Sequence, residues 1–374
     1  MPVLIAAGGV TGCGAGSDAD TAPVAHVALP AVLERLVADR RAPPDDVIEV
    51  WVCDVPTDTT DPRYGELPIR VALTPEWIAA QISVPVGDYF SSISHASYRP
   101  SFVAGATIAM AATDTAETCV ERALDASSPA ATTVLAVATA EHTTGEVGGW
   151  GRPGSWFECT SVCPAAVTRR AAYVGASDFG ADHQAGPLLD LIEHEIGHTL
   201  GLPHSGIAPD GSYISALDLM SNSAAPRELA RSGASGPRDA PDTLAVNRLD
   251  LGWLPIDAVQ VITPPTGAVV ELSTSTGTTG TRLATFELDA HRAITIELLT
   301  AEGWNQHLPR AGVAVHLVDD RGGVRELRMQ QPLGSESPHT SLLQPGDELT
   351  VEGWRIEVLA MGATAHLAVA PTEG

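Results

Sequence analysis

The sequence predicts an α+β chain: a mixed layer of strands and helices, then an all-β region. Three observations carry this. From about Asp45 to Pro255, apolar β-branched runs alternate with helical patterns, the signature of layered strands and helices. From there to Ala370, short β-type runs are separated by Gly, Pro and Asp turns, with no convincing helix, as in a sandwich. The length of 374 residues exceeds one ordinary hydrophobic core, so two domains are expected, and 44% hydrophobic content supplies material for both. The expected boundaries are 1–12 for a signal-like segment, 13–45 for a tether or short pro-segment, 46–254 for the mixed domain and 255–374 for the sandwich-like domain.

In chain order, "MPVLIAAGGVTGC" is a short apolar run with small residues before Cys13, resembling the lipobox of bacterial lipoproteins, in which Cys13 would carry the lipid. The run is short and no basic residue precedes it, as if the reading frame began further upstream. Export to the cell envelope or beyond is the expectation, with any membrane attachment made through Cys13. "PAVLERLVADRR" predicts an amphipathic helix that either covers a cleft or packs outside it. "DVIEVWVCDV" alternates and is β-branched, a strand. Thr74, Pro75 and Glu76 are helix-start signals, and Pro85 and Gly87 are expected to kink or interrupt the helix that follows. "SFVAGATIAM", "TTVLAVATA" and "RAAYVGASDF" are further strands, with "AETCVERALDA" as a helix among them. Beyond Pro255 the runs "AVVELST", "ATFELDA", "AITIELLT", "GVAVHLVD", "ELTVEG" and "RIEVLA" read as strands. His291, His307, His316 and His339 are scattered among them without ligand spacing, so surface or core roles are expected.

The net charge is −25, and the 21 basic residues are all arginine. Such a surface repels nucleic acid. If Cys13 is lipidated, Cys53, Cys119, Cys159 and Cys163 remain, an even number that suggests two disulfides in an exported chain. Three connectivities are possible. Cys159 and Cys163 are close enough for a small loop, which would leave Cys53 with Cys119.

Chemistry concentrates in "HEIGHTLGLPHSG", which starts at His194. Leu188, Leu189, Ile192, Ile196 and Leu200 recur at helical spacing, so the stretch opens on an amphipathic helix. His194 and His198, at i and i+4, present both imidazoles on one side, the spacing a tetrahedral zinc ion needs. Glu195 is rotated by about 100° from His194, placed to act on a water without being a ligand. A continuing helix would carry His204 about 9 Å past His198. The chain must therefore turn, and Gly201 and Pro203 supply the turn. Chance co-occurrence of the five fixed positions is on the order of 10⁻⁴ or less.

"HEIGHTLGLPH" resembles the zinc motif of the metzincin metallopeptidases, and Met220, sixteen residues after His204, matches the methionine turn of that group. Ser221 and Asn222 stand where astacin-like and serralysin-like members often carry a tyrosine, so those subfamilies fit poorly. "VNRLDLGWLP" and "AITIELLTAEGWNQHLPRAGVAVHLVD" are similar to the segments that follow the motif in gametolysin-like and immune-inhibitor-A-like secreted peptidases. The resemblance implies a metzincin-type catalytic domain (mixed sheet with an active-site helix), Zn²⁺ held by His194, His198 and His204, and Glu195 as base in an endopeptidase acting on proteins or peptides; a monomer is expected. It also implies an edge strand for the substrate, here between Glu141 and Phe157, although "GGWGRPG" within it reads equally as a surface loop. The alternative is a surface binding or adhesion protein with a structural zinc, closed by Asp218 or Cys159 as fourth ligand. Ca²⁺ would suit so acidic a chain, but no EF-hand or RTX repeat gives it a site.

Overall fold

The computed structural model describes residues 28–38, 45–56, 73–139, 149–154, 169–175, 189–208, 213–223, 239–263, 266–323, 325–330 and 340–372. Cys13, Cys159, Cys163, Leu188 and His339 lie outside the described residues, and with them the signal segment, the lipid site and the second cysteine pair. The architecture is mixed, with three sheets and five α-helices among the described residues.

The first sheet is built from β1 (Val47–Asp54), β2 (Ser101–Ala109), β3 (Thr133–Ala138), β4 (Gly149–Arg152) and β5 (Arg170–Val174) in the order β2-β1-β3-β5-β4. All neighbours run parallel except β4, which pairs antiparallel with β5 at the edge. Alternation along each strand divides the side chains between two layers. Ile48, Val50, Val52, Leu135, Val137 and Val174 share a core with helices α2 (Pro75–Ile93) and α4 (Leu189–Thr199). Trp51, Cys53, Val134, Ala136 and Tyr173 pack instead with α3 (Ala116–Ala126), where a Cys53–Cys119 disulfide ties helix to sheet. That pairing is the one expected for these two cysteines.

Helix α2 runs unbroken through Pro85 to Ile93, contrary to the expected interruption. A proline inside a helix costs about 3 kcal/mol. Burial of Ile82, Val86, Tyr89, Phe90 and Ile93 on the same helix outweighs it, at roughly 1.5–3 kcal/mol for each large apolar side chain. The expected start signals act as read: the Thr74 side chain accepts from the backbone N–H of Trp77.

Two facing sheets follow, built mostly from the chain after α5 (Ala245–Leu251). The six-stranded one has the order β6-β12-β11-β10-β9-β7 and the four-stranded one β13-β14-β15-β8. Their members are β6 (Ser205–Ile207), β7 (Val259–Val261), β8 (Ala268–Ser273), β9 (Leu283–Asp289), β10 (Arg292–Leu299), β11 (Gly312–Asp319), β12 (Glu326–Gln330), β13 (Glu348–Val351), β14 (Trp354–Met361) and β15 (Thr364–Pro371). Ile294, Ile296, Val313, Val315, Ile356 and Leu367 fill the space between the two sheets. The other face of the six-stranded sheet, with Ala293, Ala314, Val318 and Leu327, buries the apolar sides of α5 and of α1 (Ala31–Ala38). Helix α1 thus packs on the sandwich, and Arg35 pairs with Asp320 at 2.5 Å there. Of the two places expected for this helix, the structure shows the one outside the cleft.

One strand crosses the expected domain boundary. Strand β6, immediately after His204, is the edge of the six-stranded sheet and pairs parallel with β12.

Candidate metal centre

Helix α4 delivers the first two histidines because its apolar residues Leu189, Ile192 and Ile196 are buried in the core beneath the first sheet. The imidazoles of His194 and His198 sit one turn apart, ring centroids 4.7 Å from each other. The helix stops at Thr199, and Gly201 adopts the left-handed conformation with φ +92°, its N–H on the carbonyl of His198 at 2.9 Å. The reversed chain brings His204 back, its ring centroid 4.6 Å from that of His198 and 5.3 Å from that of His194.

One nitrogen from each of the three rings lies within 4.8 Å of the others, and the Nε2 atoms of His198 and His204 are 3.0 Å apart. Zinc–nitrogen bonds of about 2.05 Å in a tetrahedron separate ligand nitrogens by about 3.3 Å, so the cluster matches a zinc ion to within small side-chain adjustments. The far side of two rings supports the same fit. His194 Nδ1 donates to the carbonyl of Leu219 at 2.9 Å, and His198 Nδ1 to that of Leu202 at 2.8 Å. A carbonyl can only accept, so both protons are fixed on Nδ1 and both Nε2 lone pairs face the centre. Burial, then the neighbouring histidines, hold His194 well below the usual histidine range, and the same causes bring His198 down to about 4. His204 is lowered by burial. All three are therefore neutral near pH 7, as metal ligation requires. Exposure rises from His194 through His198 to His204, so the centre opens to solvent on the His204 side.

Glu195, 3% exposed, lies between α4 and β4. Strand β4 can come this close because glycines face the helix. A Cβ on Gly149 would stand 2.8 Å from Glu195 Oε1, and one on Gly151 would stand 2.0 Å from the Glu195 carbonyl and 2.7 Å from His198 Cβ. Trp150 faces the other way and stacks on Tyr173 at 6.0 Å, with the Arg152 guanidinium 3.9 Å from the Trp150 ring centre. The part of 141–157 that is described is thus an edge strand laid on α4.

Beneath the rings runs the turn Asp218–Ser221, closed by the Ser221 N–H on the Asp218 carbonyl at 2.9 Å. Met220 is fully buried, and its sulfur lies where a Cβ on Gly197 would be, 2.4 Å away. The Asp218 carboxylate accepts from Ser205 Oγ, from Thr243 Oγ1 at 3.0 Å, from the Leu244 N–H at 2.9 Å and from Asn247 Nδ2 at 3.0 Å. Its oxygens are spent on joining β6, the turn and α5. Asp218 is therefore a brace and not the fourth ligand that a closed structural site would need. Among the described residues no other acidic, cysteine or histidine side chain joins the three imidazoles. Cys159 lies outside the described residues.

Sequence reasoning missed Tyr213. Its ring centroid lies 4.4 Å from that of His204 and 6.4 Å from that of His194. Burial, then the charge of Glu195, push its hydroxyl up to about 12, so it remains a protonated donor near neutrality. No spacing rule marks it; only the pairing of its segment against Ile207 brings it here. His307 is a core residue, one of the two roles expected for it: it is buried and donates from Nε2 to the carbonyl of Ala216 at 2.7 Å, bracing the chain just before the methionine turn. His291 pairs with Asp320 at the surface and His316 is buried, as expected for residues outside the site.

The sequence matches no family model and no curated protein. Among solved structures, the chain is similar to one described as the structure of a chaperone-substrate complex, at 15% identity and a TM-score of 0.28. The match covers 57% of this chain and 35% of that chain, so this chain spans about a third of the other's length.

Proposed function

We propose that this protein is a zinc-dependent endopeptidase of the metzincin type, working outside the reducing cytoplasm. The observation that carries the proposal is the convergence of three neutral imidazoles, two with Nδ1 committed to backbone carbonyls, next to a buried glutamate under an edge strand. His194, His198 and His204 would hold the zinc. Bound there, zinc would supply Lewis-acid polarisation of the scissile carbonyl and lower the pKa of a water.

The remaining work falls to side chains and backbone of the chain. The outer edge of β4, the last strand of its sheet among the described residues, would pair with an extended peptide, which a β-strand accepts through main-chain hydrogen bonds without regard to side chains. Glu195 takes a proton from the attacking water as its oxygen bonds to the carbonyl carbon and the π pair moves onto the carbonyl oxygen. Glu195 then returns that proton to the leaving nitrogen as the C–N bond breaks. Its position between α4 and β4 puts it beside the peptide that β4 would hold. The Cys53–Cys119 disulfide supports an oxidising compartment. No helix among the described residues is long and apolar enough to cross a membrane.

The test is metal content together with cleavage of an internally quenched peptide blocked at both ends, for wild type and Glu195→Gln. We expect about one zinc per chain in both proteins and a loss of about 10²- to 10⁴-fold in turnover for the variant. Equal zinc with equal turnover would remove Glu195 from the role of base. Equal zinc with no turnover in either protein would favour a binding protein with a structural metal.

A further inference from the structure

Resting on the peptidase reading, we infer that Tyr213 is a further catalytic residue: its phenolic O–H donates a hydrogen bond to the carbonyl oxygen of the scissile peptide bond as that oxygen gains charge. Three observations support this role. The ring leans on His204 with centroids 4.4 Å apart and planes 31° apart, on the side where the imidazole cluster is exposed and a substrate must enter. The residue is held rather than dangling. Tyr213 bridges to Ile207, and Ile214 N–H reaches the Gly206 carbonyl at 3.4 Å. A Cβ on Gly206, which has φ +70°, would stand 2.1 Å from Ser215 Cβ, so the two segments lie in direct contact. Strand β6 is in turn paired with β12, so the tyrosine is mounted on a sheet edge.

The third observation is that other hydroxyls near the histidines are already engaged. Thr199 donates to the Ile196 carbonyl at 2.7 Å, Ser205 donates to Asp218, and Ser221 lies 3.3 Å from Ser205. No hydrogen bond to another described residue engages the Tyr213 hydroxyl. When water adds to the carbonyl carbon, Glu195 is occupied with the water's proton, and the oxygen receiving the π pair needs a donor of its own. A phenol fixed beside the third ligand meets that need without passing on its proton, so no co-reactant is required.

The test uses the zinc-loaded full chain and Tyr213→Phe, which keeps the ring on His204 and removes only the O–H. We expect unchanged zinc content and melting temperature, kcat lower by about 10²-fold, and KM within about twofold, the pattern of a donor engaged only in the transition state. The independent readout is calorimetric affinity for a phosphinic peptide, a tetrahedral mimic. It should fall by about the same 10²-fold in the variant, while affinity for the product peptide stays within about twofold. Equal affinity of both proteins for the phosphinic peptide would overturn the inference and leave Tyr213 a packing residue. Loss of zinc from the variant, or a phenolate-to-metal charge-transfer band in copper-loaded wild type, would overturn it in favour of a fourth ligand. Wild type that cuts no peptide and binds no phosphinic peptide would instead sink the peptidase reading itself, and this inference with it.

Discussion

Gly197, between the two histidines of α4, shows how little room the centre leaves. A methyl there would stand 2.4 Å from Met220 Sδ and 3.4 Å from a Leu219 methyl. Alanine normally helps a helix interior by about 1 kcal/mol over glycine. Overpacking a filled core costs about 1–3 kcal/mol, so the clash should win. Gly197→Ala is expected to lower the melting temperature by several degrees and to weaken zinc binding about tenfold, because Leu219, which accepts from His194, moves with the turn. Thermal melts and a competitive zinc titration check this; wild-type values in both would mean that Met220 swings aside. Much at this scale was legible beforehand. The three histidines, Glu195 and Gly201 follow from spacing, because a helix and one turn fix where they go, whereas Met220 came with the metzincin resemblance. The carbonyls of Leu202 and Leu219 were not legible, since a backbone acceptor has no residue identity. Tyr213 was hidden for a different reason: its place depends on which segment pairs with Ile207.

Between residues and domains, the contact that matters most is β4 lying on α4. Two glycines at alternate positions of the strand face the helix, and neither neighbour can retreat, because at Gly151 the clash would be with the backbone carbonyl of Glu195 at 2.0 Å. Gly151→Ala should push the edge strand off the helix. In the peptidase reading this raises KM and costs more than about tenfold in kcat/KM, since the peptide and Glu195 no longer share a frame. Zinc content should hold, as the three ligands are not on β4. Wild-type kinetics in this variant would show that β4 does not carry the substrate. The glycines were visible in the sequence, but "GGWGRPG" gave no sign of which partner required them. Strands β6, β7, β12 and β15 were likewise missed. The first two have three residues each, too few for a pattern, and β12 alternates charged Glu326 and Arg328 with buried Leu327 and Met329, which masks its apolar face. Local propensity at Pro85 allows a kink or an interruption of α2, and the buried face of the helix keeps it from being interrupted.

Over the whole molecule, the mixed domain and the sandwich share a buried polar seam. Arg248, 1% exposed, ion-pairs with Asp242 and donates to the carbonyls of Ile93, Thr243 and Ser275, so one guanidinium joins α2, α5 and the sandwich. Asn305, after β10, accepts from the Asp242 N–H at 3.1 Å. Glu297 on β10 reaches the same seam and accepts from the Ala245 N–H, in the first turn of α5, at 2.9 Å. Burial, with a smaller contribution from the Asp218 charge, pushes the Glu297 carboxyl up to about 8 against the opposing pull of Arg248. The sign follows from linkage. Below the ordinary glutamate pKa the group is protonated in both folded and unfolded chains and costs nothing. Between about 4.5 and 8 only the unfolded chain ionises, so stability falls as pH rises; above 8 the loss is complete. Its size is on the order of a few kcal/mol. The depressed pKa values of the buried histidines act in the opposite direction below neutrality, so wild type alone would show a blurred profile. Comparison with Glu297→Gln isolates the term, because the amide oxygen can still accept from Ala245 while the titration is gone. The two proteins should melt alike near pH 4.5, and the variant should melt several degrees higher at pH 8.5. Parallel profiles across that range would mean that water or Arg248 stabilises the ionised carboxylate in the seam. The variant's gain at alkaline pH would instead show that the sandwich and the mixed domain are held together across a junction that weakens as Glu297 loses its proton.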